Sequence, residues 1–169
     1  MKNLFFLSSL FLLITLSSCT SNDTSTVVQN PAVNIESAVY EISNTNFQPS
    51  NNFGRLFVFP RAILSSDHVL VYRLAGQTSQ NQDIWTILPK QYFLSNGTFD
   101  FGYNFDFTRF DVSIFIEGNN LSTLNSSFRL GQVFRIVIVP GQFQNRMSFN
   151  DFAQTLYYLH LSEKDIVKL

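Results

Sequence analysis

The chain has 169 residues, 45% of them hydrophobic and 15% aromatic, with 12 acidic against 11 basic side chains and a formal net charge of −1. Its basic residues are scattered singly, so it has no electrostatic footprint for nucleic acid or for a polybasic patch on a membrane surface. None of the seven glycines forms G-x-G, which removes the dinucleotide fingerprint and the phosphate loop, and one cysteine with two histidines argues against zinc or haem.

The first segment, residues 1–18, reads as a lipoprotein signal peptide. Lys2 precedes an apolar run from Leu4 to Leu16 broken only by Ser8, Ser9 and Thr15, and small residues follow. The run is too short for a bilayer-spanning helix, which needs about 20 apolar residues. Leu16-Ser17-Ser18-Cys19 matches the bacterial lipobox at all four positions, so Cys19 is expected to carry the lipid. A thioether to diacylglycerol consumes the thiol. The mature chain then has no disulfide partner, thiol metal ligand or thiol nucleophile. Several acyl chains, each buried CH₂ contributing about 0.8 kcal/mol, make such an attachment effectively permanent. Thr20 stands where an inner-membrane retention signal would place Asp, so the expected location is the outer membrane, with the facing side left open.

Residues 19–32, the lipidated N-terminus and the stretch TSNDTSTVVQNPA, are polar, without aromatics, and contain Pro31. They read as a solvated tether with a reach of roughly 20 Å. From Val33 the character changes. Short runs rich in Val, Ile, Phe and Tyr are expected as strands at 33–42, 53–59, 68–75, 84–88, 91–94, 98–107, 110–117 and 132–139, separated by Asn, Ser, Gly and Pro. Eight short strands at about ten-residue spacing without helical crossovers predict one domain over 33–169, mainly β, an antiparallel β-sandwich of about eight strands. In SFNDFAQTLYYL, Phe149, Phe152, Leu156 and Leu159 recur at spacings of three and four, with Ser148 and Asp151 resembling a capping box. That predicts a short C-terminal α-helix of about three turns, followed by a further turn at Ser162-Glu163-Lys164-Asp165.

Within this frame, alternation places Phe99, Phe101, Tyr103, Phe105 and Phe107 on one side of a strand. An aromatic platform for sugar rings is one reading. Core is the stronger one, because an exposed platform favours Trp and Tyr over Phe. Asp100, Asn104, Asp106 and nearby Asp111 offer oxygen ligands, but alternate residues of a strand lie almost 7 Å apart, too far to close on calcium unless loops such as Glu117-Gly118-Asn119-Asn120 converge. Ser65-Ser66-Asp67-His68 reads as a turn rather than a triad, whose members must converge from separate segments. His160 suits a helix C-terminus, and Trp85, alone between apolar neighbours, reads as a core anchor. No metal, cofactor or catalytic residue is expected.

The lipobox LSSC, the polar tether and the runs DIWTILP, NFDFTRFD, EGNNL and FRLGQVFRIVIVPG resemble small lipoproteins of uncharacterised function from Bacteroidota-type bacteria. Some of those carry a collagen-like Gly-rich segment after the lipidated cysteine, which this chain lacks. A dihydrolipoamide dehydrogenase label sometimes attached to such relatives is contradicted here by the missing dinucleotide glycines and redox cysteine pair. Surface display in such bacteria follows an acidic tract after the cysteine, and only Asp23 stands there. The expected function is a non-enzymatic interaction or envelope-structural module, partnered by the membrane through its lipid and by an envelope protein or polysaccharide. The alternatives are a glycan-binding accessory module and, below it, a hydrolase using an unrecognised carboxylate pair.

Overall fold

In chain order the strands are β1 (Ala38–Thr45), β2 (Gly54–Val58), β3 (His68–Gln77), β4 (Asp83–Ile87), β5 (Lys90–Phe93), β6 (Phe99–Phe107), β7 (Asp111–Gly118), β8 (Gln132–Val139) and β9 (Ile166–Lys168). Two α-helices join them, α1 (Ser126–Arg129) and α2 (Phe152–Tyr158). This is a computed structural model that describes residues 37–143 and 148–169; the expected signal peptide, Cys19, the tether and positions 33–36 lie outside the described residues.

The strands form two sheets, one ordered β4-β3-β8-β1-β9 and the other β2-β7-β6-β5. All eight expected strands are present, and the fold is the expected β-sandwich closed by a short C-terminal helix. The pairing differs from a purely antiparallel arrangement at one edge. A ninth strand, three residues long, runs parallel to β1, with Val39 opposite Ile166 and Glu41 opposite Lys168.

Burial follows which faces are covered. In β7, Val112, Ile114 and Ile116 are buried and alternate with more exposed Asp111, Ser113 and Phe115, as expected when only one face is packed. In β8, Phe134, Ile136 and Ile138 point into the sandwich, while Arg135, Val137 and Val139 are buried on the other side. The five-stranded sheet is therefore packed on both faces, and its central strand reads as an almost unbroken apolar run. The inner core joins Val69, Val71, Ile114 and Ile136 to Phe47, which meets Phe134 edge-on at 5.8 Å and Tyr103 at 6.1 Å. Each fully buried side chain of this size contributes about 1.5–3 kcal/mol.

The outer core lies under α2. Phe152, Leu156 and Leu159 are buried there against Val39, Tyr72, Val137 and Val139, and Phe149 packs at the margin, so the expected apolar stripe is real. The helix itself is shorter than expected and begins later. Asp151, not Ser148, is its N-cap: the Asp151 carboxylate accepts from the Gln154 N–H at 2.7 Å. Upstream, the Phe149 carbonyl accepts from the Tyr72 hydroxyl at 2.6 Å, which ties that residue to the sheet instead of a helical turn. Thr155 bonds the same hydroxyl at 2.8 Å, and burial pushes the Tyr72 phenol up to about 12. The further turn forms as expected, a 3₁₀ turn at Glu163–Asp165 with Ser162 and Asp165 capping each other.

Candidate functional site

The aromatic ladder is an interior wall. Phe101, Tyr103, Phe105 and Phe107 stand opposite Gly118, Ile116, Ile114 and Val112 of β7 on the inner face, with Phe101 and Tyr103 fully in the core. Only the last ring, Phe107, is exposed. Tyr103 donates to the Phe128 carbonyl at 2.5 Å, and burial raises its hydroxyl well above the ordinary tyrosine value. The other expected positions are structural too. Asp67 is buried in a turn, accepting from the Leu64 N–H at 2.9 Å, while His68 is exposed at the start of β3. His160 follows α2 in the left-handed region, φ 56°.

The oxygen set at the polar side of β6 disperses. The Asn104 amide donates to Glu117 at 3.3 Å, and Asp111 accepts from the Thr108 hydroxyl at 2.7 Å. Among the described residues, no group of three His, Cys, Asp or Glu side chains is placed to hold a metal ion. Asp100, however, is brought together with Asn120 from the Glu117–Asn120 loop, at the rim of a cleft described below.

Trp85 is only half-buried and belongs to a polar construction that sequence reasoning missed. Arg135, 3% exposed, lies over the Trp85 ring at 4.1 Å and over Phe152 at 4.7 Å. Its Nε donates to Glu41 at 2.9 Å, and its two terminal nitrogens donate to Glu163 at 2.7 and 2.8 Å. The guanidinium thus joins β8, β1, β4, α2 and the 3₁₀ turn. A bidentate fork of this kind is specific to arginine. A cleft of about 310 Å³ opens beside it, lined by Asp83, Trp85, Asp151, Phe152 and Glu163. Its carboxylates are engaged: Glu163 by Arg135, Asp151 as the cap of α2, and Asp83 by the Gln77 amide at 2.8 Å.

A second buried arginine sits inside the sandwich. The Arg73 guanidinium lies 4.5 Å over the Tyr103 ring, and its Nε donates to Gln132 at 2.8 Å. The Gln132 amide donates in turn to the Ser127 and Leu130 carbonyls, 2.8 Å each. This network fastens α1 to β8 and the inner core.

Beside α1 lies a second cleft, of about 300 Å³. Phe101, Leu121, Leu124 and Phe128 lie beneath it, with Phe101 itself buried, flat against Tyr92 at 4.5 Å and tilted on Phe128 at 5.0 Å. Asp100, Asn120, Thr123 and Asn125 form its polar rim. The wall exists because residue 118 is glycine: a Cβ there would lie 2.7 Å from the Asp100 carbonyl oxygen and 3.1 Å from Leu121. These residues come from two stretches, the start of β6 and residues 120–128, that no sequence motif joins.

Two face-to-face sheets, one roofed by a helix on its outer side, define the class: a β-sandwich protein. Compared with family models, curated proteins and solved structures, the chain finds no match.

Proposed function

We propose that this chain is an outer-membrane-anchored lipoprotein whose sandwich serves as a non-enzymatic interaction or envelope-structural module, one of the small Bacteroidota-type lipoproteins it resembles. The observation that carries the reading is Leu16-Ser17-Ser18-Cys19, placed after a short apolar segment and followed by the polar tether 19–32. A module role is further supported by how the domain uses its ionised groups. Arg135 holds Glu41 and Glu163, Asp151 caps α2, and Asp165 caps a 3₁₀ turn, so these charges maintain the fold. For a glycosidase-type hydrolase, two carboxylates must face one bond at about 5–10 Å, uncommitted to other partners.

The test is lipidation. Cells expressing the full chain are fed radiolabelled palmitate, with and without globomycin, and the protein is followed into the detergent phase. The wild type should label and partition with membranes, Cys19→Ala should do neither, and globomycin should leave an unprocessed precursor. Unchanged processing and partition in the Cys19→Ala variant would sink the reading. Protease treatment of intact cells then separates a surface module, digested at once, from a periplasmic one, protected until lysis. Glycan binding is a second reading; what favours it is the polar rim of the cleft beside α1, Asp100, Asn120, Thr123 and Asn125, and not the ladder, whose rings face the core.

A further inference from the structure

We infer that one end of the sandwich, made by the β6–β7 turn and the segment 58–64, docks on the surface of a phospholipid bilayer and seats Leu64, Phe107 and Phe110 among the headgroups. The inference rests on the lipoprotein reading above and adds a non-covalent contact to the anchor.

The first reason is what this end displays. β6 finishes in exposed Phe107, and the turn that follows, Thr108-Arg109-Phe110, carries a ring that is 60% exposed. Turn positions ordinarily go to Gly, Asn, Asp or Ser, and an aromatic there gains no core contact. The neighbouring segment adds exposed Val58 and Leu64. Hydrogen bonds stitch the two stretches together: the Phe59 N–H donates to the Phe110 carbonyl and the Ile63 N–H to the Arg109 carbonyl, 2.8 Å each, and the Arg109 Nε donates to the Ile63 carbonyl at 2.9 Å. The apolar tips are therefore held in place before they meet a partner, which lowers the ordering cost of binding. Arg61 and Arg109 are exposed among them, while the Asp67 carboxylate is turned inward to the Leu64 N–H and that of Asp111 holds the Thr108 hydroxyl. Apolar tips interleaved with arginines, whose stems lie on apolar surface while their heads reach phosphate, suit the boundary between headgroups and acyl chains.

The second reason is where the chain enters the domain. Ala38, the first residue of β1, stands opposite Ile138, and His68, the first of β3, opposite Val139, so both strands start where β8 finishes. The connection that carries Ile63 and Leu64 leads into His68, and the Tyr40 ring of β1 packs on Phe57, next to Val58, at 5.2 Å. The segment leading back to Cys19 is thus attached at the apolar end. About 20 residues of flexible chain reach roughly 25 Å. A linker of that length holds the domain near the lipid at an effective concentration on the order of millimolar, so a patch of a few side chains is enough to populate the docked state.

The same geometry fixes what faces away from the bilayer. Phe93, 58% exposed, and Leu94 stand at the opposite end of the four-stranded sheet, where β5 finishes and β6 starts, far from the attachment of the anchor. Along β6 that end, with Asp100 and the cleft beside α1, rises roughly 25 Å from the docking tip.

The full chain, purified from membranes in mild detergent, is reconstituted into vesicles of phosphatidylethanolamine with a minor share of phosphatidylglycerol, with plain or brominated acyl chains. Phe110→Trp and Phe93→Trp place a reporter at matched exposure on the two ends, and Trp85 gives the common background. Phe110→Trp should be blue-shifted and strongly quenched by brominated lipid, and Phe93→Trp should match the wild type. Adding Leu64→Ser and Phe107→Ser to Phe110→Trp should lower the docked-to-free ratio on the order of tenfold for each apolar side chain removed, and Arg61→Gln should lower it less. Thermal unfolding of each variant reports that it is folded. The inference is overturned if Phe110→Trp is quenched no more than Phe93→Trp, or if the two serine substitutions leave the quenching unchanged in a folded protein. A blue shift without quenching that grows with protein density in the vesicle would also overturn it, since a second copy would then cover the patch. Palmitate labelling of the same preparation keeps the two readings apart: a lipidated protein whose Phe110→Trp reporter stays in water loses only this inference, and an unlipidated one whose reporter enters the lipid loses only the anchor.

Discussion

Exchanging Arg135 for methionine removes a guanidinium that lies between two carboxylates of very different exposure. Glu41, 8% exposed, would be left with only the Lys168 ammonium at 3.7 Å, itself on a side chain that is 68% exposed. Stranding one partner of a buried pair costs about 3–5 kcal/mol. The Glu163 side chain is 64% exposed, so its half of the fork contributes only about 0.2–1 kcal/mol. Methionine keeps an apolar stem against Trp85 and Phe152, so the loss reports the charge more than the packing. Near this chain length each kcal/mol moves the melting temperature by about 2–4 °C. Arg135→Met should therefore melt on the order of 10 °C below wild type, against about 2 °C for Glu163→Gln. The double variant Glu41→Gln, Arg135→Met should recover most of the loss, because neither charge then remains buried. Urea and thermal unfolding of the full chain, read by far-ultraviolet circular dichroism, measure all three. The reasoning is refuted if Arg135→Met and Glu163→Gln cost the same, or if the double variant is no more stable than Arg135→Met alone.

Three other outcomes are expected. Tyr72→Phe strips the Phe149 carbonyl and Thr155 of a buried partner and should cost about 1–2 kcal/mol in urea unfolding. In the wild type that phenol sits near 12 instead of 10, so its contribution is complete below pH 10 and drains away as the pH rises toward 12; Tyr72→Phe should shrink the alkaline loss of stability, followed with tyrosinate absorbance. Gly118→Ala forces a Cβ against the Asp100 backbone, 2.7 Å away, and should cost about 1–3 kcal/mol in the same unfolding assay; a neutral result would mean that β6 and β7 part without strain. Asp151→Ala removes the cap of α2 and should cost about 0.5–2 kcal/mol, with amide exchange rising first at Gln154, whose N–H it accepts.

The strands are legible because one-sided burial writes itself as alternation, as in DVSIFIEG. QVFRIVIV reads as a strand and no more: a lone charge in a run this apolar must be paired only if both faces are covered, and that coverage, by α2, shows only in the structure, so Arg135 goes unmarked. Arg73 is missed as well, although alternation along HVLVYRLAGQ puts it on the side of Val69 and Val71. Three residues of β9 carry too little pattern to register, and their parallel pairing depends on a partner far away in the chain. The start of α2 is misplaced from sequence because Asp151 fits either end of a capping box, and a tertiary bond to the Phe149 carbonyl decides between them. Of the cleft beside α1, Asp100 and the Asn119-Asn120 loop stand out as oxygen donors, but not their meeting. That depends on Gly118 and on α1, whose position is fixed by the buried Gln132 amide.

β1 lies inside its sheet, flanked by β8 and β9. Glu41 and Arg135 stand directly opposite each other, yet 94 residues separate them. Both hydrogen-bonding edges of an early strand are thus satisfied only by late ones, a topology of high contact order that folds slowly. During that interval AVYEISNT is an open edge able to pair with another chain, and any holding factor that meets the nascent protein has its longest opportunity there. The window closes only when β8 has docked on one edge of β1 and β9 on the other, over residues 39–41.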